Sequence, residues 1–236
     1  MFKNKNILVT GSTGDIGSKI SYELFLKNAN IHVTSRNEEE LKNFEKKYNC
    51  KSNYIIADLK NNKDIKDLAS KLPNLNGMVL NAGTLNYCPV KYINYEKMLD
   101  IFQINFFSNV LLIKELLTMK KIEKNCSIVI IGSISSMIGT PATSIYAASK
   151  AALLSFSKVL ASELSAKKIR VNTVSPGIIN TKMTKEINQF NELEKSYPLG
   201  LGDVEDVLNQ VLFLLSDKSK WTTGSNFILD GGYFLK

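Results

Sequence analysis

Short apolar runs alternate with longer amphipathic runs along the whole chain, and this alternation constrains the fold more than any other feature. Ile7 to Thr10, Ile31 to Ser35, Asn53 to Ala57, Gly77 to Leu80, Ser127 to Ile131, Arg170 to Val174 and Asn226 to Leu229 read as strands. Between them, Ile16 to Lys27, Glu38 to Tyr48, Lys63 to Leu72, Glu96 to Met119, Tyr146 to Ala166 and Val204 to Leu215 carry helical spacing. Strand, helix, strand throughout predicts an α/β fold: a doubly wound parallel sheet with helices on both faces. At 236 residues the chain fits one such domain, 1–236, and no Gly/Ser-rich linker divides it. Only 176–201 lacks clear periodicity, and a loop of that length in a compact domain predicts a substrate lid.

Composition removes several functional classes. The three cysteines, Cys50, Cys88 and Cys126, are far apart and fit neither a disulfide framework nor a zinc site, so no metal is expected. His32, the one histidine, lies in a strand, which leaves no imidazole for a Ser/His/Asp triad. The net charge of +8 comes from lysines scattered among Asn and Glu on helix faces, so no nucleic-acid partner is expected. No apolar run approaches the roughly 18 residues of a membrane span, and the amino terminus passes directly into a strand without a signal-like segment. A cytoplasmic protein with no membrane partner is the expectation.

The turn between the first strand and first helix, Gly11-Ser12-Thr13-Gly14-Asp15-Ile16-Gly17, spaces glycines at i, i+3 and i+6. Glycine permits a tight turn and close backbone approach to a pyrophosphate, whose charge then meets the free N–H groups of a helix terminus. Gly17-Ser18-Lys19 has its lysine one place too late for a P-loop, so the loop reads as a Rossmann-type dinucleotide seat. A carboxylate at the end of the second strand would bond the ribose 2′-hydroxyl of NAD and repel the 2′-phosphate of NADP. This chain places Ser35-Arg36 there, and Arg36 is one of only two arginines. A hydroxyl beside a planar fork of donors suits a phosphate, so NADP(H) is expected ahead of NAD(H).

At Asn81-Ala82-Gly83, Ser133 and Tyr146-x-x-x-Lys150 the chain resembles the short-chain dehydrogenase/reductase family, and the likeness extends over essentially its whole length. The resemblance implies that Gly11 to Gly17 form the cofactor loop, that Asp58-Leu59 contact adenine, and that Asn81 to Gly83 support the central strand. It further implies that Pro176, Gly177, Ile179 and Thr181 line the nicotinamide side. Asn105, Ser133, Tyr146 and Lys150 would be catalytic, with Tyr146 and Lys150 also touching the cofactor. In this family the helices Glu96 to Met119 and Tyr146 to Ala166 pack between subunits, implying a homo-oligomer, a tetramer or a dimer. Asp15 stands where the family usually has its second loop glycine.

Tyrosine and lysine four apart share a helix face, but that spacing alone proves little. Tyr87 and Lys91 have it too, with helix-breaking Pro89 between them. Tyr146 is distinguished by a small-residue helix start and by a serine thirteen positions upstream at a strand end. Hydride attack on a carbonyl carbon requires a proton at the developing alkoxide, and Tyr146 is the candidate acid. Lys150 is expected to lower the Tyr146 pKa, Ser133 to bond the substrate oxygen, and Asn105 to hold a water linking Lys150 to solvent.

Overall resemblance is to the 3-oxoacyl-acyl-carrier-protein reductases of this family, implying reduction of a 3-oxoacyl thioester, small or carrier-bound. Lys124, Lys167 and Lys168 are expected as a basic rim for an acidic carrier, and Tyr87, Ile134, Ile178 and Met183 as a moderately apolar pocket. Thr84 to Pro89 replaces the arginine-rich segment frequent in those reductases, which keeps open a reductase of a small ketone or sugar-pathway intermediate. A dinucleotide-sensing regulator without chemistry is the remaining alternative.

Overall fold

The computed structural model describes residues 1–185 and 194–235. Part of the expected lid therefore lies outside the described residues, and so does the Met183 side chain. Seven strands form one sheet: β1 (Asn6–Val9), β2 (Asn30–Ser35), β3 (Asn53–Ile56), β4 (Leu75–Leu80), β5 (Ile122–Ile131), β6 (Arg170–Pro176) and β7 (Asn226–Leu229). Every pairing is parallel, in the order β3-β2-β1-β4-β5-β6-β7. The chain winds outward from β1 to β3, returns to β4 beside β1, and winds out again to β7. That reversal opens a crevice at the carboxyl ends of β1 and β4, where ligands bind in such sheets.

The central strands are apolar without alternation because both faces are covered. Leu8, Met78, Leu80, Ile128, Ile130 and Val171 face one layer, packed on α3 (Asn62–Lys71), α5 (Ser108–Thr118) and α6 (Ser144–Leu164). Ile7, Val9, Val33, Val79, Val129 and Val174 face the other, against α1 (Asp15–Leu26), α2 (Glu38–Tyr48) and α8 (Val204–Leu215). Each such buried Leu, Ile or Val side chain contributes about 1.5–3 kcal/mol of burial. Helix starts follow side-chain capping: Asn37, Asn61 and Asn94 accept backbone N–H groups at the starts of α2, α3 and α4 (Tyr95–Phe102). Asp203 and Asp206 form a reciprocal capping box on α8.

Two elements depart from the sequence expectation. The run Glu96 to Met119 is not one regular helix: α4 and α5 are joined by a wide π-type turn over Gln103–Phe107 that contains Asn105. Such turns recur at functional sites. Tyr95–Thr118 is nonetheless long and apolar enough by length and composition to cross a membrane. Its Ile101, Leu112, Ile113 and Leu116 are buried, while Tyr95, Met98, Leu99 and Phe107 are exposed. Strand β5 begins at Ile122, five residues earlier than expected, because Leu75 pairs with Ile122 before a register shift brings Gly77 opposite Ser127.

Candidate active site

The glycine loop is fastened to β4. Asn81 and Ala82 donate their backbone N–H groups to Thr10 Oγ1, both at 3.1 Å, and Asn81 Nδ2 donates to the Thr10 and Gly11 carbonyls at 3.2 and 3.0 Å. Gly11 has a left-handed φ of 60°, and a Cβ there would lie 2.9 Å from Ala82 Cα. A Cβ on Gly17 would overlap the Gly11 carbonyl and lie 2.7 Å from Asn81 Nδ2. These two glycines are therefore required by the loop's own packing. Gly14 differs: a Cβ there would meet only the Gly11 carbonyl, at 3.6 Å. As the α1 N-cap it also places no side chain over the helix N–H groups. An uncapped helix terminus with open space before it fits a pyrophosphate.

Ser12 is not aimed at a ligand. Its buried hydroxyl bridges the Thr34 backbone, donating to the carbonyl and accepting from the N–H, both at 3.1 Å, and so ties the loop to β2. Asp15, in place of a glycine, also has a structural partner: its Oδ2 accepts the Lys182 N–H at 2.7 Å, clasping the start of α7 (Lys182–Lys185) to the cofactor loop. At the end of β2, Thr13 and Ser35 donate their hydroxyls to the same oxygen, Glu40 Oε2, at 3.0 and 2.6 Å. Sequence reasoning missed Glu40, although it stands one helical turn after Arg36. Arg36 is exposed, with no hydrogen bond or ion pair among the described residues.

Asp58 and Leu59 follow β3 on the same edge of the sheet. Asp58 Oδ1 accepts its own turn's Lys60 N–H at 2.9 Å, and Leu59 is buried in the core beside Ala82. Beyond β6, Gly177 donates to the Leu229 carbonyl at 2.8 Å, and the next turn is held by a bridge between Ile179 and Gly202. The Ile179 side chain is buried in the core, so only its backbone can face a cofactor. Thr181 pairs with Thr184, hydroxyl to hydroxyl at 3.2 Å. The buried Tyr197, also missed from the sequence, accepts the Ile178 N–H on its hydroxyl at 3.2 Å and packs its ring on Tyr233, centroids 5.1 Å apart.

Ser133, Tyr146 and Lys150 converge at the carboxyl end of β5. Ser133 also accepts the Ser135 N–H, at 3.1 Å, and Ser136 turns its hydroxyl back to the Ser133 carbonyl at 2.7 Å, so Ser133 alone of the three serines acts on Tyr146. Lys150 is buried, donates to the Ile131 carbonyl at 2.9 Å, and holds its ammonium 5.9 Å from the Tyr146 ring centre. Burial draws the Lys150 pKa down to about 8. The expected lowering of Tyr146 by Lys150 is corrected: burial pushes the Tyr146 hydroxyl above its ordinary value, opposed by the neighbouring Ser133, while Tyr87 pushes it further up.

Asn105 is fully buried. Its Oδ1 accepts the Thr84 N–H at 2.8 Å, and its Nδ2 donates to the Thr84 carbonyl and to Ser149 Oγ, both at 3.0 Å. The side chain thus braces the loop after Gly83 against α6. Gly83 lets them close up, since a Cβ there would lie 3.2 Å from Asn105 Oδ1 and 3.4 Å from Lys150 Nζ. Of the expected pocket residues, Tyr87 is half exposed, Ile178 half-buried and Ile134 buried. The expected basic rim is on the wrong edge: Lys124 precedes Ser127, and Lys167 and Lys168 precede Arg170, whereas Ser127 and Arg170 pair at the amino end of the sheet.

A seven-stranded parallel sheet with a glycine loop at its switch point and a Ser, Tyr, Lys set at the adjoining strand end defines a dinucleotide-dependent oxidoreductase. The chain belongs to the short-chain dehydrogenase/reductase family, NAD(P)-dependent oxidoreductases acting on C=O and CH–OH groups; residues 11–234 match the family model described as enoyl-(acyl carrier protein) reductase. It is 34% identical over 239 residues to a 3-oxoacyl-[acyl-carrier-protein] reductase of Rickettsia felis, covering 98% of this chain and 97% of that protein. Among solved structures it is similar to a short-chain dehydrogenase/reductase (glucose/ribitol dehydrogenase) from Brucella melitensis, with TM-score 0.91, 28% identity and coverage of 98% and 97%. A blue fluorescent protein from a metagenomic library, in complex with NADPH, gives TM-score 0.89 at 26% identity, covering 98% of each chain.

Proposed function

We propose that this chain is a cytoplasmic, single-domain NADPH-dependent reductase of 3-oxoacyl thioesters, carried on acyl carrier protein, with 176–201 as its substrate lid. The observation that carries the reading is the convergence of Ser133 and Tyr146 beside buried Lys150, at the carboxyl end of β5, with β4 between it and the glycine-loop strand β1. The full-length likeness to a 3-oxoacyl-[acyl-carrier-protein] reductase supports the substrate class. The Ser35 and Arg36 pair supports the 2′-phosphate, as does the NADPH complex of a structural relative.

Asp15 and Ile16, at the start of α1, would offer backbone N–H groups to the pyrophosphate, the Gly14 N–H being held by the Gly11 carbonyl at 3.3 Å; Asp58 and Leu59 would flank the adenine, and the Ile179 backbone and Thr181 would face the nicotinamide. When bound, the nicotinamide supplies the hydride. Ser133 and Tyr146 hold the carbonyl oxygen, and Tyr146 delivers its hydroxyl proton to that oxygen as negative charge develops there. A phenol whose pKa is raised by burial is fully protonated at neutral pH, which suits the reducing direction. Lys150 lends positive charge to the forming phenolate and holds the nicotinamide ribose, and Asn105 keeps the adjoining wall in place.

The chain also acts as a homo-oligomer in this reading. Phe107 and Val159, on the two long helical segments, are exposed, as are Ile228 on edge strand β7 and nearby Trp221.

A side-by-side rate comparison tests the proposal: acetoacetyl and longer 3-oxoacyl thioesters, an enoyl thioester, simple ketones and keto-sugars, each with NADPH and NADH. Fastest turnover on 3-oxoacyl thioesters with NADPH is expected. No thioester reduction overturns the substrate, and equal or better rates with NADH overturn the cofactor preference. Reduction of keto-sugars alone would favour the second reading, a sugar-pathway reductase, which the resemblance to a glucose/ribitol dehydrogenase supports.

A further inference from the structure

We propose that Glu40 is a specificity-determining residue of the cofactor site, a fixed negative charge that limits the affinity for NADPH set by Arg36. The inference rests on the reading of Ser35 and Arg36 as the seat of the adenosine 2′ substituent. Glu40 lies in the first turn of α2, where the helix dipole favours its charge. Its Oε2 takes the hydroxyl hydrogens of Thr13, from the glycine loop, and Ser35, from the end of β2, at 3.0 and 2.6 Å. Ser35 Oγ is held in turn by the Asn37 N–H at 3.3 Å. The Ser35 hydroxyl that a 2′-phosphate would use, and the Thr13 hydroxyl that shares its acceptor, are thus already given to a carboxylate, while Arg36 stands without a partner among the described residues.

A dianionic phosphate arriving at this seat must take the Ser35 hydroxyl from Glu40 and sit beside its charge. A ribose 2′-hydroxyl faces no such conflict, because it can donate to the carboxylate in place of a displaced serine or threonine. Glu40 therefore acts oppositely on the two cofactors, weakening NADPH and leaving NADH a hydrogen-bond acceptor. The site is exposed, so the effect is moderate and sensitive to salt.

Binding of NADPH and NADH to the purified enzyme, followed by nicotinamide fluorescence at low and high salt, tests this without turnover. Glu40→Gln keeps an acceptor for Thr13 and Ser35 but removes the charge. It should tighten NADPH by about 3–10-fold at low salt, less at high salt, and leave NADH within about twofold. Glu40→Ala should tighten NADPH similarly if charge is the cause. Weakening of both cofactors together by either variant, or an unchanged NADPH affinity in Glu40→Gln, overturns the proposal. Arg36→Leu separates it from the reading beneath: loss of about tenfold or more in NADPH affinity, with NADH unaffected, supports the seat itself. If Arg36→Leu leaves both affinities unchanged, the seat is misplaced and the Glu40 proposal falls with it.

Discussion

The two sides of the catalytic crevice are built by different means. On the cofactor side, Thr10, Asn81 and Ser12 cross-link the glycine loop to β4 and β2 through six hydrogen bonds, and Gly11 and Gly17 are packed so closely that neither admits a Cβ. On the substrate side, the turn after β6 hangs on the Ile179–Gly202 bridge, the Tyr197 hydroxyl on Ile178, and the Asp15 carboxylate on Lys182. One side is a cradle of backbone packed against backbone. The other is a strap whose closest packing is against side chains, Tyr197 at Gly177 and Ile179 at Gly202, and whose turns are joined by bonds such as the Asn180 N–H to the Gly202 carbonyl at 2.8 Å. The contrast matches their tasks, since the dinucleotide is constant in shape while an acyl chain must enter and leave.

Tyr146→Phe should have the largest effect on that contrast, removing the acid shared by both sides. Turnover of the carbonyl substrate should fall by about 10²–10⁴-fold while cofactor binding, read by fluorescence titration, persists. Near-native turnover would remove Tyr146 from the chemistry. Gly17→Ala probes the cradle. The overlap with the Gly11 carbonyl should lower unfolding free energy by about 1–3 kcal/mol and cost at least about tenfold in dinucleotide affinity, against little change for Gly14→Ala in the same denaturation series. Equal effects at both glycines would break the claim of a tightly packed loop.

Asp15→Ala cuts the strap from the cradle. KM for the carbonyl substrate should rise by about 3–10-fold with the melting temperature little changed, because the lost bond joins two surface segments and not the core. An unchanged KM would mean that the clasp does not order the turn after β6 for the substrate. The smallest effect belongs to His32, buried in β2, whose Nε2 has no partner among the described residues and whose pKa is depressed from its ordinary 6.5 by burial. The unfolded chain binds that proton more readily, so stability holds above about pH 6.5 and declines as pH falls below it. Denaturation midpoints of His32→Val should decline less between pH 7.5 and 5.5 than those of the unmodified chain (roughly the window set by the ordinary histidine pKa). Parallel declines would show that burial does not make proton binding at His32 weaker in the fold than in the unfolded chain.

Most of the fold was legible because each signal is local. The fully buried strands announce themselves as Ile7-Leu8-Val9 or Ile128-Val129-Ile130-Ile131, and the boundaries of α2 and α8 follow from caps written in the same segment, Asn37 and Asp203. The site was legible in part, because Tyr146 and Lys150 share a helix face and Ser133 ends a strand. What local reading missed depends on contacts between distant segments. The π-type turn around Asn105 is tied to Thr84, 21 positions away, and the basic rim failed because Lys124 and Lys167 reach the sheet at its amino edge.

The sequence by itself determined the parallel sheet and the glycine loop, since each rests on periodicity or on spacing within a short segment. Tertiary structure alone decided what those residues do with their side chains. It tied the Ser12 hydroxyl to the Thr34 backbone, gave Asp15 a partner 167 positions away, set Glu40 on the hydroxyls of Thr13 and Ser35, and turned Lys150 to the Ile131 carbonyl. The physical reason is that hydrogen-bond partners and desolvation are properties of neighbours in space, and in a doubly wound sheet the neighbours of a strand end come from crossovers elsewhere in the chain.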